Sequence, residues 1–541
     1  MSTKGKEEEN NNNNHQKNEI RIFSVPFSLK GINDDISIRT SFKLSKEYLV
    51  NQAFKCHSQG DIKGAIKYYQ DFIDRGFKDH RVYSNYGIIL KDLGKLKEAE
   101  FNTRKAIELK SDFEEAHYNL GTILIDLGKL VEAEMSTRKA IKLQPNSSES
   151  HYNLGIIYRD QGNLKEAEIS TRKAIKIKSD FAEAYNHLGT VLMDDLSKLK
   201  EAESSLRKAI EINQDFNEAY YNLSLIELLK GNYKDGLENY EFRLIKKKPV
   251  IPHCKPKIKR KDNKEFQKGE KLLVISEQGL GDTLQYMRYI PYLRKKGLDV
   301  SFSAQTKLHS LIQSSAIDQN PLTPEQVEKV SARQWIPLLS LARHLKISPK
   351  NPIISQPYIF STDQFTQKWK NIFSKEKRPI IGINWQGNPE MEKRSYHGRS
   401  IPLETFSLLF KQNELSILSL QKGFGSEQLE QCSFKNKFVE CQPQINSTWD
   451  FLENAAIIQN CDLIITCDTS IAHLAGGMGK KVWLLLRDIP FWTWGLKEET
   501  TFWYPSMRLF RQHERHNWQE VMERVSIALK KEIATNALVK N

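Results

Sequence analysis

Three short stretches of this sequence put polar residues where chemistry can happen. The first, Gly279-Leu280-Gly281-Asp282-Thr283-Leu284-Gln285, follows the apolar run KLLVIS. Glycines at 279 and 281 let another molecule approach the backbone, and Asp282 can take a proton from a hydroxyl. The same residues also read as a helix cap, because Asp-x-x-Gln is a capping box. The third glycine of a dinucleotide fingerprint is missing, and so is the Gly-Lys-Ser/Thr of a phosphate loop. The second stretch, Asn384-Trp385-Gln386-Gly387-Asn388-Pro389, opens a loop rich in amides and cations. There Lys393 and, above all, Arg399, which immediately precedes the returning helix, can neutralise a diphosphate; a plain surface loop is the alternative. The third is CDTSIAHLAGG, Cys467 to Gly477. Asp468 ends a strand, and Thr469 and Ser470 begin a short helix whose free N–H groups make an anion site. His473, one turn along, either faces phosphates or braces Asp468. No Asp-x-Asp occurs, and no His/Cys/carboxylate set has metal-ligand spacing, so neither a metal nor a cofactor is expected.

The elements that must hold these residues are strands and helices in alternation. KLLVIS, LDVSFSA, IIGINW, LSILSL, DLIITCD and KVWLLL are short apolar runs separated by helical stretches. That pattern implies parallel sheets covered on both faces, and ligands of such sheets bind beyond the C-terminal strand ends. Two groups of runs, either side of the PYIF segment near Tyr358, predict two lobes, 271–365 and 366–541. The segment FWTWGLKEETTFWYPSMRLFRQ is unusually aromatic. Its Trp492, Trp494, Trp503 and Tyr504 either stack on a base or sugar or pack the lobes together, with packing the expected role for at least two.

Residues 41–245 are a repeat array. Turn glycines at Gly94, Gly128 and Gly162 recur every 34 residues, as do the small residues Ala99, Ala133 and Ala167. Degenerate copies at each end, with Gly60 and Gly231, make about six units, and the fifth copy carries one extra residue and Ser197 at its turn. Each unit is two amphipathic helices that cannot bury their apolar faces alone, so neighbours stack. Two positions before the small residue of each first helix stand Asn51, Asn85, Asn119, Asn153, His187 and Asn222. These amides are either a solvated polar face inherited by duplication or a column that holds an extended polypeptide by its backbone.

Composition bounds the rest. The chain has 541 residues, a net charge of +14 and six cysteines without paired spacing. It is too long for one core, and no apolar run approaches the roughly 20 residues needed to span a bilayer. The Asn-rich, charged segment 1–40 is expected to be disordered, and the N-terminus lacks a secretory signal. Scattered cysteines favour reduced thiols and a cytoplasmic location. Part of the basic excess lies in Lys246–Lys271, read as a solvated linker over 246–270 rather than a polyanion-binding strip; no nucleic-acid motif is present.

Two resemblances follow from these residues. The 34-residue units resemble the tetratricopeptide repeat, and their Asn column is similar to the ladder with which O-linked N-acetylglucosamine transferases bind protein substrates. The span Lys271 to Leu529 resembles heptosyltransferase-like enzymes of glycosyltransferase family nine, through D-T-[GS]-x-x-H-L-A at 468–475 and Gly-Asp at 281–282. The R-S-I-P segment is a looser match to that family's K-x-W-P, with Arg399 in place of a phosphate-binding Lys. The resemblance implies an all-α superhelix followed by an α/β pair of Rossmann-type lobes of the GT-B kind. It implies a metal-independent inverting glycosyltransferase with Asp282 as general base. Asn384, Gln386, Arg399, Gln421, Asp468, Thr469, Ser470 and His473 would line the nucleotide-sugar pocket. The acceptor is then a protein presented by the repeats. The alternatives are a glycan or lipid-linked saccharide acceptor, or a scaffold whose lobes are inert.

Overall fold

The computed structural model describes residues 45–394, 398–410 and 415–535; the side chains of Met391, Lys393 and Arg394 and the predicted disordered segment 1–40 lie outside the described residues. The chain divides into two compact units, Met1–His187 and Leu188–Asn541.

In the first unit helices pair as the period predicts: Lys46–Ser58 with Ile62–Asp74, His80–Asp92 with Leu96–Leu109, Glu114–Asp126 with Leu130–Leu143, and Ser148–Asp160 with Leu164–Ile177. The turn glycines Gly60, Gly94, Gly128 and Gly162 all take φ between 72° and 84°, a region costly for any other L-residue. Ala65, Ala99, Ala133 and Ala167 are wholly buried. Closer still, a methyl group at Gly87, Gly121 or Gly155 would collide with the hydroxyl of Thr103, Thr137 or Thr171 on the paired helix. Leu49, Phe54, Tyr69, Phe72, Tyr86 and Ile123 belong to one apolar cluster that runs across copies, so each unit completes its neighbour's core.

The second unit holds the last repeat helices, Leu199–Ile212, Asn217–Leu229 and Tyr233–Tyr240, together with two sheets. The first sheet has β1 (Lys259–Arg260), β2 (Lys271–Ile275), β3 (Asp299–Ser303) and β4 (Gln334–Pro337) in the order β1-β4-β2-β3, all parallel. The second has β5 (Ile380–Asn384), β6 (Ser416–Ser419), β7 (Leu463–Cys467), β8 (Val482–Leu486), β9 (Thr500–Thr501) and β10 (Tyr504–Arg511) in the order β6-β5-β7-β8-β10-β9. Only β9 runs antiparallel, against β10. All six predicted apolar runs are strands, and they fall on either side of PYIF as expected. The region is therefore α/β, with parallel sheets following an all-helical repeat region.

Two sequence expectations are corrected. The helix predicted after β2 is two helices, Leu280–Tyr286 and Tyr289–Lys295. Pro291 has no N–H to give to the Met287 carbonyl and its ring crowds that group, so the first helix cannot continue through it. The stretch 246–270 is no free linker. Its Lys259 and Arg260 pair with Gln334 and Trp335 as β1, and its Lys261, 5% exposed, pairs with Glu270 at 2.8 Å.

The last repeat is tied to the first sheet by a buried ion pair. Arg243 and Glu277 are both 0% exposed, and Arg243 donates to Glu277 Oε1 at 2.7 Å and Oε2 at 3.2 Å. A buried pair offsets its desolvation only when its other donors and acceptors are satisfied. Here they are: Arg243 also meets Glu241 (2.8 Å), the Tyr240 carbonyl and Ser340 Oγ, while Glu277 accepts from the Leu339 N–H. Leu199, Leu228, Leu237 and Tyr240 share one apolar core with Leu272, Val274 and Trp492. No helix among the described residues is long and apolar enough to cross a membrane.

Candidate functional site

Asp282 sits at the C-terminal end of β2. Gln278 turns the chain there with φ of 60°, unusual for a non-glycine residue, and the helix begins at Leu280 with Gly279 as its cap. Asp282 is thus the third helical residue, and its Oδ2 accepts the Gly279 N–H at 2.9 Å. The Asp-x-x-Gln cap does not form: Gln285 is buried, and its Nε2 has no partner among the described residues. Burial, reinforced by the charges of Glu277 and Asp468 and opposed by the Gly279 N–H, pushes the Asp282 carboxyl up to about 7. A carboxylate so placed is a poised proton acceptor near neutral pH.

Gly281 serves a different purpose from the one expected. A Cβ there would lie 2.9 Å from His473 Cδ2 and 3.6 Å from Ser470 Cα, so this glycine lets two helices touch rather than admitting a ligand. At Gly279 only Asp282 itself lies within 3.2 Å of an added Cβ, and the space stays open.

Across from Asp282 stands the end of β7. Asp468 follows the strand directly; burial raises its carboxyl, while Arg399, Trp494 and Arg487 oppose that rise. Arg399 donates to the Asp468 carbonyl at 3.2 Å and pairs with Glu392 at 3.4 Å. A Cβ at Gly387 would meet the Arg399 guanidinium, so a side chain there would displace that group. Thr469 is the N-cap of the helix Ser470–Gly477, but its hydroxyl makes no cap bond and goes to Asn384 Oδ1 at 2.7 Å. That helix start therefore has no side-chain cap from Thr469, and its Ala472 N–H donates to the Thr469 carbonyl at 3.1 Å.

Asn384 and Gln421 are braces rather than donor contacts. Asn384, 3% exposed, donates to Gln421 at 2.7 Å and accepts from Thr466 and Thr469. Gln421 accepts from the Trp385 and Gln386 N–H groups and donates to the Gln386 and Phe424 carbonyls. Both amides are engaged in fixing the ends of β5, β6 and β7. Gln386 accepts from Gln428 and lines a cavity of about 510 Å³ with Pro389, Glu392, Gly398, Ser400, Ile401, Pro402 and Gln428.

His473 carries no charge for phosphates and does not brace Asp468. Its Nδ1 meets the Tyr504 hydroxyl at 2.9 Å, and burial next to Arg288 lowers its pKa to about 3. Trp494 stacks on it at 5.2 Å. Trp492, Trp494, Trp503 and Tyr504 are all at most 3% exposed, so these four side chains pack in the interior, Trp494 beside Asp468. Trp492 lies edge-on to Tyr240 of the last repeat and Trp503 on Tyr286. Buried Arg288 donates to the Trp503 carbonyl at 2.7 Å and to the Tyr358 hydroxyl at 3.0 Å. Sequence reasoning missed Arg288, Glu277 and Arg487. Arg487 and Glu277 left a signal, since they directly follow the KVWLLL and KLLVIS runs at strands' C-terminal ends.

The Asn column is less uniform than its spacing. Asn51 is exposed, Asn119 and Asn222 are half-buried, and Asn85, Asn153 and His187 are buried. Asn119 donates to Ser84 Oγ at 2.9 Å, His187 Nδ1 meets Thr171 Oγ1 at 2.9 Å, and burial lowers the His187 pKa to about 3. The Asn153 amide nitrogen is buried with no partner among the described residues. Asn222 belongs to the second unit and the others to the first.

Comparison with known proteins bears on the helical region. Residues 49–178 match the family described as "Cilia and flagella-associated protein 70 middle TPR-like domain", and residues 182–216 match the tetratricopeptide repeat family. Protein FlbA of Caulobacter vibrioides is 22% identical over 335 residues, which is 57% of this chain and 54% of FlbA. The chain thus spans about half the length of that curated relative. Among solved structures, MamA (24% identity, TM-score 0.28) covers 31% of this chain with 92% of its own. YrrB, described as a TPR protein with an unusual peptide-binding site, has 24% identity and a TM-score of 0.27, covering 32% of this chain and 89% of its own. Scores this low say nothing about the sheets or the candidate site. The family matches and the helix pairs agree: the helical region of this chain is built of tetratricopeptide repeats.

Proposed function

We propose that this chain is an inverting glycosyltransferase of the two-lobed GT-B kind, using a nucleotide sugar as donor and a protein hydroxyl as acceptor. One observation carries the reading: Asp282, with its carboxyl raised to about 7, shares an electrostatic site with Asp468, Arg399 and the start of the helix Ser470–Gly477. In the reaction the acceptor oxygen loses its proton to Asp282 and attacks the anomeric carbon. The bond from that carbon to the diphosphate breaks, and the nucleoside diphosphate departs with the electron pair. Arg399 and the helix N–H groups neutralise the charge it gains. Asp282 then releases its proton to solvent. The resemblance of 468–475 and 281–282 to family nine supports the donor class. The tetratricopeptide repeats, with their column of amides, support a polypeptide acceptor.

Calorimetry against a panel of nucleotide sugars tests the donor, and mass spectrometry of host proteins with and without the chain tests the acceptor. Asp282→Asn should keep donor affinity and lower transfer by about 10²–10⁴-fold. Turnover of that variant at the wild-type rate would sink the base assignment. The repeats alone favour a second reading, a protein-binding scaffold. Capture of peptides without affinity for any nucleotide sugar would favour it.

A further inference from the structure

The irregular fifth repeat reaches the candidate site. Asp92, Asp126 and Asp160 are each the last residue of their helices. Asp194 holds the same place in the fifth copy, but its helix Ala182–Leu192 has already ended. The extra residue replaces the glycine turn by a 3₁₀ turn, Leu196–Lys198, whose cap Asp195 accepts the Ser197 N–H at 2.9 Å. In this turn Asp194 offers both its carbonyl and its carboxylate to the second sheet's loops. Arg487 donates to its Oδ1 at 3.1 Å, and Arg515 donates to its carbonyl while holding Asp488 Oδ2 at 3.1 Å. Arg487 is the first residue beyond β8, whose Leu485 pairs with Cys467 of β7 immediately before Asp468. It therefore stands on the same strand-end edge as Asp468 and Ser470, and its charge helps to keep Asp468 ionised.

We infer that Arg487 is a second cation for the donor's diphosphate, beside Arg399, and that Asp194 of the fifth repeat is its positioning residue. This rests on the nucleotide-sugar reading above. A partly exposed ion pair stabilises a fold little, but it fixes a long side chain that would otherwise sample many rotamers. An arginine held at a strand end recognises a diphosphate by directed N–H donors, which a mobile one does less well.

The test uses the full chain, with calorimetry against the common nucleoside diphosphates and the matching nucleosides at neutral pH. Arg487→Gln should weaken the preferred diphosphate about tenfold and leave its nucleoside unchanged, with Arg487→Lys in between. Asp194→Ala removes a negative charge, so simple electrostatics demands tighter anion binding. The positioning role instead demands weaker binding, by about threefold, with no added loss in the Arg487→Gln background. Tighter diphosphate binding by Asp194→Ala, or Arg487→Gln within about twofold of wild type, overturns the inference. If Arg487→Gln does not fold, Arg487→Lys and Asp194→Ala decide it; unfolding of all three assigns the contact to structure alone and overturns it as well. Wild type that binds no diphosphate overturns the donor reading itself.

Discussion

At the scale of single residues, Asp282 makes the sharpest demands. A general base must be ionised, so the acid limb of the transfer rate should fall near pH 7, where an ordinary aspartate would place it near 4. A pH–rate profile flat from 5 to 8 would remove Asp282 from that role. Stability has the opposite sign. A carboxyl raised by folding is neutral in the folded chain over a range where the unfolded chain has already ionised, so it destabilises increasingly from 3.8 to about 7. Asp282→Asn should therefore raise Tm, and the gain should grow from pH 4 to about 7 and level off above it, as thermal scans at several pH values would reveal. Gly281→Ala drives a methyl group against His473, and overpacking of this kind costs about 1–3 kcal/mol. Denaturant titration should show that loss, and donor affinity should fall with it, because the Ser470–Gly477 helix must retreat.

At the scale of elements, the tie between the last repeat and the first sheet sets the expectation. Arg243→Met leaves Glu277 charged and buried without its partner, which costs about 3–5 kcal/mol, whereas the double variant Arg243→Met/Glu277→Leu should recover much of it. Urea titrations of the three proteins measure both. This tie also marks where reading a sequence stops. The repeats were legible because their period is local, and six strands because five are mostly apolar runs and β3 alternates apolar and polar residues. β1 was not, since two residues in a lysine-rich stretch carry no period. Nor was the inward turn of Arg243 and Arg288, because a long cation on an amphipathic helix ordinarily lies in water. At the site, Arg399 was legible as a cation of the loop that follows β5, and Asp282 and Asp468 as polar residues beyond strand ends. Asn384 and Gln421 share that position, and only the closed hydrogen-bond set separates a brace from a contact.

At the scale of the molecule, the repeats do not end where the sheets begin. A chain starting at Ala182 should unfold in one cooperative transition, because it keeps Leu199, Leu228 and Tyr240 over the first sheet. A chain starting at Lys246 lacks them and strands Glu277, so it should bind a hydrophobic dye and lose its cooperative melt. Calorimetry of the two truncations distinguishes a shared core from a severable one; matching melts would show the sheets stand alone. The turns at Gly94, Gly128 and Gly162 and the glycine–threonine contacts recur in strict step. Unequal crossing-over between such copies adds or deletes whole modules and breaks none of them. The fifth copy, with Asp194 engaged by Arg487, and the sixth, with Arg243 engaged by Glu277, have no such freedom. Loss or gain of a whole module upstream of Ala182 should therefore leave the contacts of the fifth and sixth copies with the sheets in place.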